Sequence, residues 1–180
     1  MTQQTNLPIP DSYWVKPGQF LAGEYPGRAD VETTRGRVDA LLEAGIDFFI
    51  DLTDAGELPP YVDLLKEQAL VHGMRTFYTR IAIVDHGIPT PKMMNSILDR
   101  IDRALSLGRK IYLHCWGGVG RTGTTVGCHL VRRGLTGRQA LGQLADWWAG
   151  VPKRSHFPRS PETEEQARFV LNWKEIASPR

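Results

Sequence analysis

At 180 residues, with 41% apolar and 23% charged side chains, the chain has the size and balance of one globular domain. Such a length buries about 70% of the surface exposed by the unfolded chain. A formal net charge of +2 gives no ground for nucleic-acid or membrane binding, and no apolar run approaches the roughly 18 residues of a membrane span.

The first stretch, "MTQQTNLPIPDSY", has neither a basic region nor an apolar core, so it is not a secretory signal. It reads as a polar lead-in over residues 1–12, before a single domain over 13–180. Four short strands are expected, in "QFLAGEY", "DFFIDL", "MRTFYTRIAIV" and "KIYLHC". Between them run amphipathic helices. Val31, Val38, Leu41 and Leu42 form one apolar stripe, closed by Gly45, and Tyr61, Leu65 and Ala69 begin another that ends at Gly73. The clearest carries Met94, Ile97, Leu98, Ile101 and Leu105, with Thr90 as N-cap, Pro91 at the first position and Gly108 beyond the end. "RTGTTVGCHLVRRG" continues as a helix with Val126, Leu130 and Val131 on one face. Thr136 and Gln139 are spaced as a capping box, and Ser160-Pro161 is expected to open a last helix carrying Phe169, Val170 and Trp173. Alternating strand and helix predicts one α/β domain, a central mostly parallel sheet flanked by helices, with a helical C-terminal third. No repeat, low-complexity segment or linker divides it. Two cysteines, Cys115 and Cys128, cannot build a disulfide framework, so a reducing, cytoplasmic setting is expected.

"HCWGGVGRTG", residues 114–123, stands apart, because four glycines in ten positions are costly to order. The segment joins the C-terminal end of an expected strand to a helix start, the edge where ligands of α/β sheets bind. A helix start offers unpaired N–H groups to an anion. Gly117, Gly118 and Gly120 let successive N–H groups turn inward as a nest, and Arg121 adds a planar two-pronged donor suited to phosphate oxygens. Cys115 then sits at the base of an electropositive cup, where a thiolate is favoured and a bound phosphoryl group is within nucleophilic reach.

His114-Cys115, five residues, then Arg121-Thr122 resembles the H-C-x5-R-[S/T] signature of the cysteine-dependent protein tyrosine and dual-specificity phosphatases, and the similarity extends through "GVGRTGT". The resemblance implies a phosphate-binding loop over Trp116, Gly117, Gly118, Val119, Gly120 and Arg121, with Cys115 as nucleophile. It implies that His114 orients the loop and that the Thr122 hydroxyl stabilises the departing thiolate. The family takes its leaving-group proton from an aspartate on a separate loop about thirty residues upstream, which leads to Asp85 in "VDHGIPTP". There Gly87 is the expected hinge, and Ile83-Val84 replaces the Trp-Pro usual in the tyrosine-specific branch. His86 is read as either a neighbouring candidate acid or a bystander, with bystander preferred. "SPETEEQ" resembles the segment that carries a water-positioning glutamine in some branches, which makes Gln166 either that residue or part of a solvated helix face.

The mechanism so implied needs no metal or other cofactor, and the histidines show no metal-site spacing. Trp116 either lines the pocket wall or packs under the loop, with packing preferred. Lys153, Arg154, His156 and Arg159 form a basic cluster, either steering an acidic substrate or simply solvated. Trp147-Trp148 and Cys128 read as core. The expected activity is hydrolysis of phosphate monoesters, on phosphorylated proteins or small phosphate esters, without nucleic acid or membrane as partner. The alternatives are an enzyme of small phosphorylated metabolites such as inositol phosphates, and a non-catalytic phosphate-binding module.

Overall fold

The computed structural model describes residues 6–175. Its sheet is five-stranded, in the order β1-β2-β5-β3-β4, where β1 is Ser12–Lys16, β2 Phe20–Gly23, β3 Phe48–Asp51, β4 Phe77–Arg80 and β5 Ile111–His114. Only the β1–β2 pairing is antiparallel; β2–β5, β5–β3 and β3–β4 run parallel. The mostly parallel α/β fold expected from the alternation is therefore the observed one.

Strand β1 was not anticipated. Its Tyr13 is buried and Trp14 half-buried, and Ile9 and Ser12, placed in the polar lead-in by the sequence reading, are also buried. An antiparallel edge strand of five residues, interrupted by an irregularity between Trp14 and Lys16, has too short an alternation to stand out. Conversely, the long run "MRTFYTRIAIV" contributes only Phe77–Arg80 to the sheet. Beyond Arg80 the chain stays tied to β3, through Ile81 N–H to Asp51 O (2.9 Å) and Ile83 N–H to Leu52 O (3.0 Å), and then leaves towards Asp85.

Alternation along the strands divides the core. Phe20, Ala22, Ile50, Ile111 and Leu113 face one side, where they meet helices α3 (Pro91–Ser106), α4 (Gly120–Arg132), α5 (Gly137–Trp148) and α6 (Glu164–Leu171). Leu21, Phe49 and Tyr112 face the other, covered by α1 (Val31–Glu43) and α2 (Val62–Val71). Each fully buried side chain of this kind contributes about 1.5–3 kcal/mol by burial. The expected stripes hold on α3 and on α1 from Val38 onward, but Val31 is exposed at the first position of α1, and Tyr61 is the N-cap of α2 rather than its first helical residue. Thr136 and Gln139 form the expected capping box. Cys128 and Trp148 are buried, as expected of core residues.

The last helix starts later than Ser160-Pro161 suggests. Its N-cap is Thr163, in a capping box with Gln166, because the Ser160 hydroxyl is committed elsewhere, donating to Val119 O at 2.7 Å. Trp173 lies beyond the end of α6 and is buried. Among the described residues, no helix is long and apolar enough to cross a membrane.

Register brings one row of residues to the C-terminal edge of the parallel strands. His114 is level with Gly23 on one side and Asp51 on the other, and Asp51 is level with Arg80. The residue after that row on β5 is Cys115.

Candidate active site

The loop from Cys115 to Gly120 leaves β5 and enters α4, whose N-cap, Val119, has no side chain that caps the first turn. The helix start is thus left to offer its N–H groups. Carbonyls of the loop are drawn to partners around it. Trp116 O accepts from Tyr25 N–H (2.8 Å), Gly117 O from Lys153 Nζ (3.2 Å) and Val119 O from Ser160 Oγ (2.7 Å). Gly118 has φ +74°, and a Cβ there would lie 2.5 Å from Gly23 C. No residue but glycine meets both demands.

His114 is fully buried beneath this loop. Its Nδ1 lies 3.3 Å from Cys115 O and its Nε2 2.8 Å from the Tyr61 hydroxyl. A carbonyl can only accept, so Nδ1 carries the proton and Tyr61 donates to Nε2. Burial pushes the His114 pKa below the usual histidine range, against the pull of Asp51, which keeps the ring neutral. Asp51 is fixed in turn by Thr53 (2.8 and 2.6 Å), the Tyr78 hydroxyl (2.6 Å) and Arg80 (3.0 Å).

Cys115 forms part of the floor of a cleft of about 650 Å³. Arg121, on the first turn of α4, reaches the same cleft although only 1% of it is exposed. Its Nη1 and Nη2 donate to the two oxygens of Glu57 at 2.8 and 2.6 Å, Nη1 also meets Ile83 O at 3.1 Å, and Nη2 lies 3.0 Å from Asp85 Oδ1. Burial disfavours its charge, yet the Glu57 hydrogen bonds together with Cys115 and Asp85 hold its pKa above the usual arginine range. The Arg121 Nε and the Thr122 hydroxyl are buried with no hydrogen-bond partner among the described residues.

Glu57 was missed by the sequence reading. It sits in a polar turn, "DAGELPP", 64 residues from its partner, and only its sheet-edge location gives it away. A bidentate charged pair aims the guanidinium, and hydrogen bonds to charged groups contribute about 1.5–3 kcal/mol. Glu57→Ala is therefore expected to lower kcat/KM for a phosphate monoester by about 10–100-fold. A rate within about twofold of wild type would show that Arg121 does not depend on Glu57.

The Asp85 loop and the segment before α6 approach this centre together. Asp85 is partly exposed, and its neighbour His86 adopts a left-handed φ of 56°, unusual for a residue with a side chain. His86 lies between two carboxylates, with Nε2 3.5 Å from Asp85 and Nδ1 3.6 Å from Glu162. Gln166 is fully buried, so it does not belong to a solvated face. Its Oε1 accepts from Glu162 N–H (3.2 Å) and Thr163 N–H (3.1 Å), and its Nε2 donates to Gly87 O at 3.1 Å. Gly120 lacks the Cβ that would come within 2.9 Å of this amide. Gln166 thus joins the Asp85 loop, the glycine loop and α6.

The preferred packing of Trp116 is not observed. Trp116 does not pack under the loop; it is 55% exposed and lines the cleft, because its backbone carbonyl is pinned to Tyr25 and its ring is left at the rim. Of the basic cluster, read as either substrate-steering or solvated, Arg154, His156 and Arg159 are exposed. Only Lys153 lines the cleft, Arg159 pairs with Glu164, and the His156 ring meets the Ser155 hydroxyl.

Comparison with known proteins agrees with this geometry. Residues 9–170 match the family described as Swiss Army Knife protein, DSP-PTPase phosphatase domain. The chain is 33% identical over 93 residues to the uncharacterized protein MJECL20 of Methanocaldococcus jannaschii, covering 52% of this chain and 56% of that one. It is 34% identical over 98 residues to the putative tyrosine phosphatase 067L of Invertebrate iridescent virus 3, covering 52% of this chain and 38% of the relative. It therefore spans 56% and 38% of the lengths of these two relatives. The crystal structure of Tk-PTP in the active form superposes with a TM-score of 0.64 at 26% identity, over 90% of this chain and 94% of that one. Because the family match runs through most of the chain, the chain belongs to the DSP-PTPase phosphatase family of Swiss Army Knife proteins, within the cysteine-dependent protein tyrosine phosphatase superfamily.

Proposed function

We propose that the protein hydrolyses phosphate monoesters in two steps through a phosphocysteine. The Cys115 thiolate attacks phosphorus, an S–P bond forms and the P–O bond to the leaving group breaks. Asp85 gives its proton to the departing oxygen, since an alkoxide or phenoxide leaves poorly without one. Water then attacks the phosphocysteine and gives a proton to Asp85. The S–P bond breaks, releasing inorganic phosphate and restoring both groups. Arg121 and the loop N–H groups hold the equatorial oxygens, where charge is carried throughout. The Thr122 hydroxyl, buried without a partner among the described residues, is the donor proposed for the thiolate as it leaves. Gln166 is proposed to orient the hydrolytic water with its remaining N–H, close to Gly120.

The observation that carries this reading is the placement of Arg121. A buried guanidinium, fixed by Glu57 and reaching Asp85 at 3.0 Å, lines one cleft with Cys115. A glycine-rich turn does not by itself require a guanidinium in the cleft of the thiol, and keeping one buried there takes the Glu57 and Asp85 carboxylates.

Substrate size follows from the rim. Trp116 and Phe157 are 55% and 37% exposed and line the cleft, and the loop between Cys115 and Arg121 holds no basic side chain. One phosphoryl group next to an aryl or alkyl body fits this chemistry, with phosphotyrosine in proteins as the proposed class. Turnover of a phosphotyrosine peptide is expected to exceed that of a phosphoinositide at equal concentration, with inhibition by vanadate and none by a chelator. A kcat/KM favouring the phosphoinositide tenfold, about 1.4 kcal/mol in the transition state, would move small polyphosphorylated metabolites to first place.

A further inference from the structure

We propose that Lys153 is a positioning residue of the phosphate loop, a lock that keeps the Gly117–Gly118 peptide from turning its carbonyl towards the bound anion. The proposal rests on the phosphate-binding reading of the loop given above. In a trans peptide the carbonyl of one residue and the N–H of the next point in opposite directions. A carbonyl pulled out of the cup therefore aims the following N–H into it. Tyr25 N–H does this for the Trp116 carbonyl and Ser160 for the Val119 carbonyl. Lys153 Nζ, 3.2 Å from Gly117 O, does it for the peptide between.

That middle peptide is the one most in need of a tie. It is flanked by two glycines, so neither side bears a Cβ that would resist rotation, and Gly118 already lies at φ +74°. A flipped peptide would replace an N–H donor by a carbonyl facing phosphate oxygens.

Lys153 is itself held. Its ammonium meets Glu24 Oε2 at 2.5 Å, and its backbone N–H donates to Asp11 Oδ1 at 3.0 Å. The Glu24 side chain is only 5% exposed, and its other oxygen takes Arg37 (2.6 Å) and Arg28. Burial pushes the Glu24 carboxyl up, but the Lys153 hydrogen bond and the charges of Lys153, Arg37 and Arg28 hold it below the usual range. The carboxylate anchoring the lysine is thus ionised at neutral pH. The lysine, read from the sequence as either substrate-steering or solvated, instead reaches the loop backbone.

The test compares wild type, Lys153→Met and Lys153→Arg. Inorganic phosphate and vanadate are titrated as inhibitors, and turnover is measured on p-nitrophenyl phosphate and on an acidic phosphotyrosine peptide. Lys153→Met is expected to weaken both anions about tenfold, the scale of one oriented hydrogen bond to a charged group. It should lower kcat/KM by the same factor on both substrates, and Lys153→Arg should recover most of the loss. Unchanged anion affinity would overturn the proposal, and so would a loss confined to the acidic peptide, which would place Lys153 against the substrate instead. Should Lys153→Met fail to fold, NMR of the wild-type protein decides. The Gly118 backbone N–H resonance is expected to move on saturation with phosphate, and a stationary resonance overturns the inference. Wild type that neither binds vanadate nor turns over either substrate would remove the phosphatase reading beneath it, whereas an active wild type with an unaffected Lys153→Met removes this inference alone.

Discussion

Replacing Cys115 by serine is expected to lower turnover of an aryl phosphate by on the order of 10⁴-fold or more, the scale on which enzymes lose a nucleophile. Serine is nearly isosteric, and Cys115 is 3% exposed in a site held by backbone ties, so the fold should persist. The serine hydroxyl is not ionised at neutral pH and is a poor nucleophile without a base. Phosphate and vanadate should still bind, because Arg121 and the loop N–H groups are untouched. That pairing separates loss of the nucleophile from collapse of the loop. More than about a tenth of wild-type activity in the variant would exclude Cys115 as the attacking group.

Asp85→Ala is expected to cost about 10²–10⁴-fold on a substrate whose leaving group needs a proton, and far less on p-nitrophenyl phosphate, whose phenolate departs unaided. The comparison matters because Asp85 also lies 3.0 Å from Arg121 Nη2. If that contact were its whole contribution, both substrates would suffer alike. His86, 3.5 Å from Asp85, is the neighbouring candidate acid. Equal losses on the two substrates in Asp85→Ala, or a leaving-group-dependent loss in His86→Ala, would take the acid role from Asp85.

How much of this was readable beforehand depended on distance along the chain. Cys115, Arg121 and Thr122 fall within one strand–loop–helix unit, where glycine content and spacing report the geometry directly. The parallel sheet followed from alternation, since strands buried on both faces read as short apolar runs between helices. Glu57, Tyr61 and Asp51 were silent because each is ordinary in its own neighbourhood and is brought under the loop only by the pairing of β3 with β5 and by the turn into α2. Lys153 was visible as charge, but the buried carboxylate that turns it inward, Glu24, lies 129 residues away. The start of α6 was misplaced for a similar reason: Ser160 has the chemistry of an N-cap, and only the folded chain shows its hydroxyl spent on Val119. Gln166 was legible as a candidate, while its hold on Gly87, 79 residues distant, was not.

Turnover is expected to pass through a covalent intermediate on the Cys115 sulfur. Denaturing the wild-type enzyme in alkaline detergent within the first turnovers of a ³²P-labelled phosphotyrosine peptide, which preserves phosphate on sulfur and on histidine alike, followed by peptide mapping, is the direct test. Label is expected on the peptide bearing Cys115, held as an S-phosphocysteine that persists in mild alkali, is released by iodine and disappears in Cys115→Ser. Steady turnover with label on His86, His114 or any other residue, or label that survives in Cys115→Ser, would contradict it.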